Sequence, residues 1–140
     1  MQAKKVVSLF KGYLDAFKTY DLCKVASCYH LPCTLHTPDK VALLKDSKSC
    51  LKEFSDIFEQ LQQAKTSDII ARKASYSLIT ENLLFVSVDW EFIDGQGDIF
   101  ADFCAIYHLV LIGDELKIIN VVSHDLSNSL SLENPFELLN

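Results

Sequence analysis

The fold is decided by the stretch LLFVSVDWEFI, which runs from Leu83 to Ile93. Within it, apolar and polar side chains alternate with a period of two. The apolar set is Val86, Val88, Trp90 and Phe92, and the polar set is Ser87, Asp89 and Glu91. Successive side chains of a strand point to opposite faces, so this pattern predicts a long strand with one buried and one polar face.

The same period continues on both sides of this stretch. Three neighbouring runs share it: Ile69 to Ile79, Ile99 to Ile112 and Leu116 to Ser123. The separators are short and turn-like, for example Thr80-Glu81-Asn82 and Gly113-Asp114-Glu115. Separators of this length leave no room for crossover helices, so the four runs predict an antiparallel meander.

Helical spacing dominates the part of the chain before Thr66. A first helix is predicted from an apolar stripe at i, i+3, i+4, i+7, i+8 and i+11. That stripe comprises Val6, Leu9, Phe10, Tyr13, Leu14 and Phe17. A second, shorter helix is expected over Leu22 to Tyr29, behind a cap at Asp21. A third helix is expected behind a cap at Ser47 or Ser49, and it should end by about Lys65.

Between the second and third helices the sequence suggests two brief strands, over Cys33 to Thr37 and Val41 to Leu44. Helices first and strands afterwards indicate the α+β class. We therefore expect three N-terminal helices packed on the concave face of a curved, mostly antiparallel sheet.

Composition excludes several classes of protein. The chain has 140 residues and is 49% apolar, which predicts one compact core rather than disorder. Its net charge of −6 argues against nucleic-acid and membrane-surface partners. Five cysteines without a CxxC pair, and four histidines without HxxxH or HxH spacing, predict reduced thiols and no metal site. We expect a cytoplasmic protein without a cofactor.

The order of elements, together with several short stretches, resembles the nuclear transport factor 2-like superfamily, which includes ketosteroid isomerases and polyketide cyclases (SnoaL-like proteins). The stretches are Tyr13 ahead of Asp21-Leu22, Leu35-His36-Thr37-Pro38, Leu51-Lys52-Glu53-Phe54 and Val88-Asp89-Trp90-Glu91-Phe92. The resemblance implies a cone with an internal pocket, formed by residues 1–125, and leaves residues 126–140 as a tail.

Superfamily roles carry over only in part. Tyr13 matches the tyrosine that binds an oxyanion in the isomerases. The position of their general base is Thr37, and that of their second pocket acid is about Tyr107, so ketosteroid-type isomerisation is not expected. Asp125 and Asp39 remain the candidate acids for any other proton transfer beside Tyr13.

Strand parity, combined with the resemblance, predicts the pocket lining. The expected residues are Tyr13, Thr37, Phe54, Val86, Val88, Trp90, Phe92, Phe103, Tyr107 and Val121. Three functions stay open on these residues. They are a pocket that binds a small apolar or aromatic molecule, a cofactor-free isomerase, dehydratase or cyclase, and an interaction module whose pocket is self-filled.

Two further expectations concern surfaces. The resemblance implies a homodimer through the convex sheet face, where Cys104 and Ile106 lie among polar residues. In the tail, Asn134-Pro135 is arranged like the cap and first position of a short helix. Phe136, Leu138 and Leu139 would then dock this helix on the pocket mouth or on the dimer partner, as a lid.

Overall fold

The computed structural model describes residues 2–138, and within them three helices pack against one sheet. Helix α1 spans Gln2–Thr19, α2 spans Leu22–Ser27 and α3 spans Ser47–Gln63. Strand β1 covers Tyr29–His36 and β2 covers Val41–Leu44. The long strands are β3 (Asp68–Thr80), β4 (Leu83–Ile93), β5 (Ile99–Ile112) and β6 (Glu115–His124), and a short strand, β7, covers Asn134–Phe136.

The predicted α+β class and the antiparallel meander are confirmed. Across the described residues the strand order is β2-β1-β6-β5-β4-β3-β7, and the sheet is curved and does not close. Within residues 2–138, β1 lies parallel to β6, the last strand of the meander, and the other strand pairs are antiparallel. The described helices include none that is both long and apolar enough to cross a membrane.

Local capping explains where the helices begin. Asp46 starts α3 with a capping box, in which its carboxylate accepts from the Ser49 N–H at 2.8 Å and the Ser49 hydroxyl accepts from the Asp46 N–H at 3.1 Å. Asp21 caps α2 by accepting from the Lys24 N–H at 3.0 Å. The predicted cap of α2 is confirmed, although this helix ends at Ser27, two residues earlier than expected. The cap predicted for α3 at Ser47 or Ser49 is wrong, because the Asp46 carboxylate takes that role and Ser49 completes the capping box from the third helical position.

Facing on the long strands also follows the predicted parity. Phe103 pairs with Trp90, and Tyr107 pairs with Val121, so these side chains share the concave face that packs against the helices. Val86 and Val88 lie on that face as well and are fully buried. The opposite, convex face carries Ser87, Asp89 and Cys104 in this part of the sheet.

The tail differs from the prediction. Residues 126–133 cross the convex face, and Asn134–Phe136 then pairs as β7 with the outer edge of β3. The expected helix at Pro135 is wrong because the backbone of this segment is satisfied by strand pairing at an open sheet edge. Leu138 is buried in the core, and Leu139 lies outside the described residues.

We call residues 126–138 the strap. Its polar groups are bound in succession by β4 and β3: the Ser129 hydroxyl donates to Asp89 at 2.6 Å, and Ser75 and Ser77 accept from the N–H groups of Leu132 and Glu133. Its apolar end is held on the concave side, where Phe136 packs 6.4 Å from Phe10, centroid to centroid.

The strap covers part of the face expected to form a dimer. Cys104 is fully buried, and Ser75, Ser77 and Ser87 are buried as well. The uncovered part of the convex face lies toward β2, β1 and β6. Val41, Leu43 and Val122 are exposed there, and Ile106 on β5 and Phe85 on β4 are half-exposed beside them.

Candidate functional site

The candidate site is a cavity of about 380 Å³ between α1, α3 and the concave face of the sheet. Its wall is mostly apolar and aromatic. The lining consists of Tyr13, Leu14, Phe17, Tyr29, Leu35, His36, Thr37, Phe54, Ile57, Gln60, Leu61, Ile69, Trp90, Phe92, Phe100, Ala101, Phe103, Ala105, Tyr107, Val121 and Ser123. None of these residues carries a carboxylate. An apolar concave site with a few convergent polar groups is typical of small-molecule binding.

Each element contributes to the wall through its own period. On α1, Tyr13 and Phe17 are one turn apart, and their ring centroids are 5.0 Å apart. On α3, Phe54, Ile57 and Leu61 recur at i, i+3 and i+7 and face the cavity.

The cavity owes its space to small residues on β5. Ala101 and Ala105 alternate with Phe103 and Tyr107 on the concave face of this strand. Ala105 is buried, so a longer side chain there would extend into the cavity. The sequence therefore keeps a gap in a core whose interior is otherwise close-packed.

Three buried tyrosines form the polar part of the wall. The Trp90 Nε1–H donates to the Tyr107 hydroxyl at 2.9 Å, and the Tyr13 and Tyr29 hydroxyls are 3.0 Å apart. The rings of Tyr13 and Tyr107 pack edge-on, with their centroids 5.8 Å apart. We call Trp90, Tyr107, Tyr13 and Tyr29 the hydroxyl chain.

Burial raises the pKa of Tyr13, Tyr29 and Tyr107 well above the usual value of 10.0. All three phenols are therefore neutral at physiological pH. A neutral phenol offers one proton and accepts others, so the hydroxyl chain can donate to an oxygen or nitrogen acceptor without supplying charge.

Most of the predicted lining residues border the cavity. Those that do are Tyr13, Thr37, Phe54, Trp90, Phe92, Phe103, Tyr107 and Val121. Val86 and Val88 do not, because they lie farther along β4, where they are fully buried in the core. Strand parity assigned their face correctly, but parity alone does not say where along a strand the core opens into a cavity.

Neither candidate carboxylate lies in the cavity. Asp39 is exposed and borders an adjoining polar depression with Glu53, Asp56 and Glu59. This depression shares Leu35, Thr37, Ile57 and Gln60 with the cavity, but Asp39 does not border the cavity itself. Asp125 is also exposed, because the chain leaves the sheet after His124. Its carboxylate accepts from the Ser127 N–H at 2.8 Å, and this hydrogen bond holds the pKa of Asp125 below its usual value. The structure does not bring either acid beside Tyr13.

The sequence prediction missed Tyr29. The second helix was expected to include it, whereas Tyr29 is the first residue of β1. A signal was present: Tyr29, Leu31, Cys33 and Leu35 alternate with polar residues or proline, at the period of a strand. His36, which also borders the cavity, was likewise missed.

Metal binding has no support in the geometry. Within residues 2–138, His, Cys, Asp and Glu side chains do not gather in groups of three that could hold an ion. Four of the five cysteines are buried, and all five are free thiols. For Cys33, which lies on β1, burial raises the thiol pKa to about 12.

The architecture is that of the nuclear transport factor 2-like superfamily, as the resemblance implied. The chain belongs to the family described as NTF2-like protein (DUF6841), whose model matches residues 4–126. None of the curated proteins compared with the chain matches it.

Solved structures agree on the fold. An NTF-2 like protein of unknown function from Shewanella oneidensis MR-1 aligns with a TM-score of 0.74 at 16% identity, over 89% of this chain and 100% of that one. A domain of unknown function with a cystatin-like fold, from Nostoc punctiforme PCC 73102, gives 0.73 at 15% identity, over 93% and 78%.

A third similar structure is a ketosteroid isomerase-like protein from Erwinia carotovora atroseptica SCRI1043, with a TM-score of 0.66 at 16% identity, over 86% of this chain and 92% of that one. Identities this low establish the shared fold and nothing about a shared activity.

Proposed function

We propose that this protein binds a small, neutral, apolar or aromatic molecule that carries a hydrogen-bond acceptor, and that it does so without a cofactor. The observation that supports the proposal is the combination of an apolar cavity with neutral phenols in its wall. An apolar ligand would gain from burial, and a phenol would fix its orientation.

The size of the cavity sets the size of the ligand. A cavity of about 150 Å³ holds benzene. The volume of about 380 Å³ found here therefore has room for a molecule of two or three fused or linked rings. This range covers naphthalene derivatives and excludes long-chain lipids.

The composition of the wall favours binding over proton-transfer chemistry. General acid–base catalysis needs a group that titrates near the working pH within reach of the substrate. The cavity is bordered by phenols whose pKa values are raised by burial, and Asp39 and Asp125 lie outside it. These phenols do not supply the base that a cofactor-free isomerase, dehydratase or cyclase would need. His36 also borders the cavity, but it pairs with Val122, and in this register its imidazole lies on the convex side of β1.

The proposal is tested by titrating the protein with 2-acetylnaphthalene and following the fluorescence of Trp90. Trp90 is the single tryptophan and borders the cavity, so a ligand bound there should quench its emission in a saturable way. No saturable change, with calorimetry also showing no heat of binding, would reject the proposal.

A cavity-filling variant separates binding in the cavity from binding at the surface. Ala105→Leu places a larger side chain in the space that the ligand would occupy, so the titration should lose saturation. Ala3→Leu is the matched control, because Ala3 is exposed on α1 and does not border the cavity. Equal quenching in the two variants would assign the probe to another surface.

We further propose that the protein forms a homodimer through the part of the convex face that the strap leaves open. Val41 on β2, His36 on β1 and Val122 on β6 are cross-strand partners, and Ile106 on β5 pairs with Val122. This row contains no aspartate, glutamate, lysine or arginine. The exposed apolar side chains of Val41 and Val122, on either side of His36, support such an interface.

Light scattering of the wild type and of Val122→Lys tests the dimer. The wild type should have the mass of a dimer at tens of micromolar, and a lysine in the row should shift it to the monomer. Gln62→Lys on the exposed face of α3 is the matched charge control, because it also adds one positive charge to a neutral position. A monomeric wild type would contradict the proposal.

The free thiols support a third proposal, that the protein works in a reducing compartment such as the cytoplasm. Cellular fractionation of the tagged protein tests it. Recovery from the secreted fraction would contradict it.

A further inference from the structure

The cavity continues into the polar depression that Asp39 borders, which we call the first depression. The two spaces have the wall residues Leu35, Thr37, Ile57 and Gln60 in common. A ligand that fills the cavity and is too long for it therefore reaches the first depression without crossing a layer of the core.

A second depression adjoins the cavity where β5 begins and β6 ends. Thr37, Phe103 and Ser123 belong to the walls of both spaces. The remaining wall residues of the second depression are Pro38, Asp102, His124 and Asp125. Thr37 borders the cavity and both depressions, so we call the two depressions together the mouth of the cavity.

The mouth is rich in carboxylates and poor in cations. Its six acidic residues are Asp39, Glu53, Asp56, Glu59, Asp102 and Asp125. Within the part of the chain that the structure describes, the lysine and arginine side chains contribute one member to its wall, Lys40. A carboxylate in contact with water is negatively charged at pH 7, so the mouth has a negative potential.

Two of these carboxylates are compensated by lysines on or beside the mouth. The Lys40 Nζ lies 3.0 Å from a Glu53 carboxylate oxygen, and the Lys52 Nζ lies 3.1 Å from one of Asp56. The other four are exposed and take no part in the ion pairs found among residues 2–138; they are Asp39, Glu59, Asp102 and Asp125. The mouth therefore keeps four uncompensated negative charges.

The cavity gives this charge a meaning that a solvated acidic surface lacks. Its apolar, aromatic wall points to a ligand independently of any charge at the mouth. A concave surface of one sign attracts ions of the opposite sign and repels ions of the same sign. The charge on the end of the ligand that emerges at the mouth should therefore change the affinity.

We infer that a ligand which extends from the cavity into the mouth carries a protonated amine there, and that the mouth disfavours aromatic carboxylates and phosphates. The inference rests on the proposed function and extends it from the neutral aromatic body in the cavity to the end of the ligand in water. Two unit charges about 8 Å apart in water change a binding constant about 2-fold. Four uncompensated carboxylates should therefore produce a preference on the order of 10-fold.

The test uses three derivatives of 2-acetylnaphthalene that differ only in the substituent at carbon 6. The 2-aminoethyl derivative is a cation at pH 7, the 2-hydroxyethyl derivative is neutral and the carboxymethyl derivative is an anion. Their dissociation constants are measured by quenching of Trp90 in about 50 mM salt. The amine should bind on the order of 10-fold more tightly than the alcohol, and the acid should bind more weakly by a similar factor.

Salt separates the charge of the substituent from its shape. In about 500 mM salt the Debye length is about 4 Å, so most of the preference should disappear. The affinity of the neutral alcohol should change little. A preference that persists in high salt would come from shape or hydrogen bonding and would overturn the inference.

A double variant assigns the preference to the mouth. Asp39→Asn with Asp102→Asn removes one uncompensated charge from each depression and leaves both ion pairs intact, so the preference should fall to about 2- to 3-fold. The matched control is Glu81→Gln with Asp114→Asn, which removes the same charge from exposed turns at the other end of β4 and β5. The control should keep the preference of the wild type.

Ala105→Leu shows whether the amine is held through the cavity. It fills the space of the aromatic body and leaves the mouth charges in place, so the amine should lose its saturable binding. An amine that binds Ala105→Leu as well as it binds the wild type would be held by surface charge alone, and this result would overturn the inference.

The outcomes separate the inference from the proposed function. If 2-acetylnaphthalene binds and its three derivatives bind equally, or do not bind at all, the inference is overturned and the proposed function stands. Equal losses of preference in the double variant and its control would trace the effect to the net charge of the chain and would also overturn the inference. If neither 2-acetylnaphthalene nor any derivative binds, the proposed function fails and the inference fails with it.

Discussion

Opening of the strap should expose Cys104 while the rest of the core stays closed. The strap covers Cys104, and the apolar side chain that anchors its end in the core is Leu138. Leu138→Ala removes buried methyl groups at the end of an element, which costs about 2 kcal/mol, at the lower end of the range for such substitutions. The open population, and with it the alkylation rate of Cys104, should therefore rise about 30-fold.

The assay is alkylation by iodoacetamide at pH 8, followed for each cysteine by mass spectrometry of peptides. Cys50 on α3 is the internal reference, because it is also fully buried but lies far from the strap. Burial raises the pKa of both thiols, so both react slowly until an opening exposes them. In the wild type, Cys104 should react faster than Cys50.

A second variant distinguishes local opening from global unfolding. Leu116→Ala weakens the core at β6, which remains folded when only the strap opens. It should accelerate Cys50 and leave Cys104 nearly unchanged, whereas Leu138→Ala accelerates both. Equal acceleration of the two cysteines by Leu116→Ala would refute the reasoning, because Cys104 would then be exposed only by unfolding of the whole domain.

Three further predictions concern pH and the strap. The Ser49 hydrogen bonds hold the pKa of Asp46 below its usual value of 3.8, so the ionised cap stabilises α3 above that pH, and this stabilisation is lost as the pH falls. Asp46→Ala should therefore lower the melting temperature at pH 7 and not at pH 2. Burial raises the pKa of Tyr13, Tyr29 and Tyr107, so the neutral phenols stabilise the folded state fully below pH 10, and this contribution is lost as the pH rises further. The phenolate absorbance of these tyrosines should appear only together with unfolding. Ionisation before unfolding would contradict this prediction. Ser75→Ala removes the side chain that accepts from the Leu132 N–H and should speed alkylation of Cys104, whereas Ser55→Ala, on the exposed face of α3, should not.

Much of the fold could be predicted because its signals are local. The alternation from Val86 to Phe92 and the stripe from Val6 to Phe17 each report burial on one face of one element. Pairing in the meander followed from short turns, which leave few alternatives. The superfamily was recognisable for the same reason, since order and length of elements define it.

The errors arose where distant parts of the chain meet. Asn134-Pro135 has the local signature of a helix start, but β3 offers an unpaired edge, and strand pairing satisfies more of the backbone than a single helical turn would. Likewise, nothing near Cys104 in sequence indicates that residues some twenty-five positions later cover it.

The cavity itself was only partly predictable. The alternation along each strand identified the face on which each wall residue lies. The volume of the cavity, however, depends on Ala101 and Ala105 lying opposite α1 and α3, and this arrangement exists only once the helices pack on the sheet. Tyr29 was missed because the boundary between α2 and β1 was set two residues too late. The hydrogen bond from Trp90 to Tyr107 joins β4 to β5, and no single segment of the sequence reveals it.

The central claim is that the cavity holds a neutral aromatic ligand oriented by a buried phenol. A crystal structure of the protein with 2-acetylnaphthalene tests it most directly. We expect electron density for the rings among Phe54, Trp90 and Phe103, with the carbonyl oxygen about 3 Å from a phenol hydroxyl of the wall, that of Tyr13, Tyr29 or Tyr107. A cavity closed by the protein's own side chains, or a probe bound only on the surface, would contradict the account.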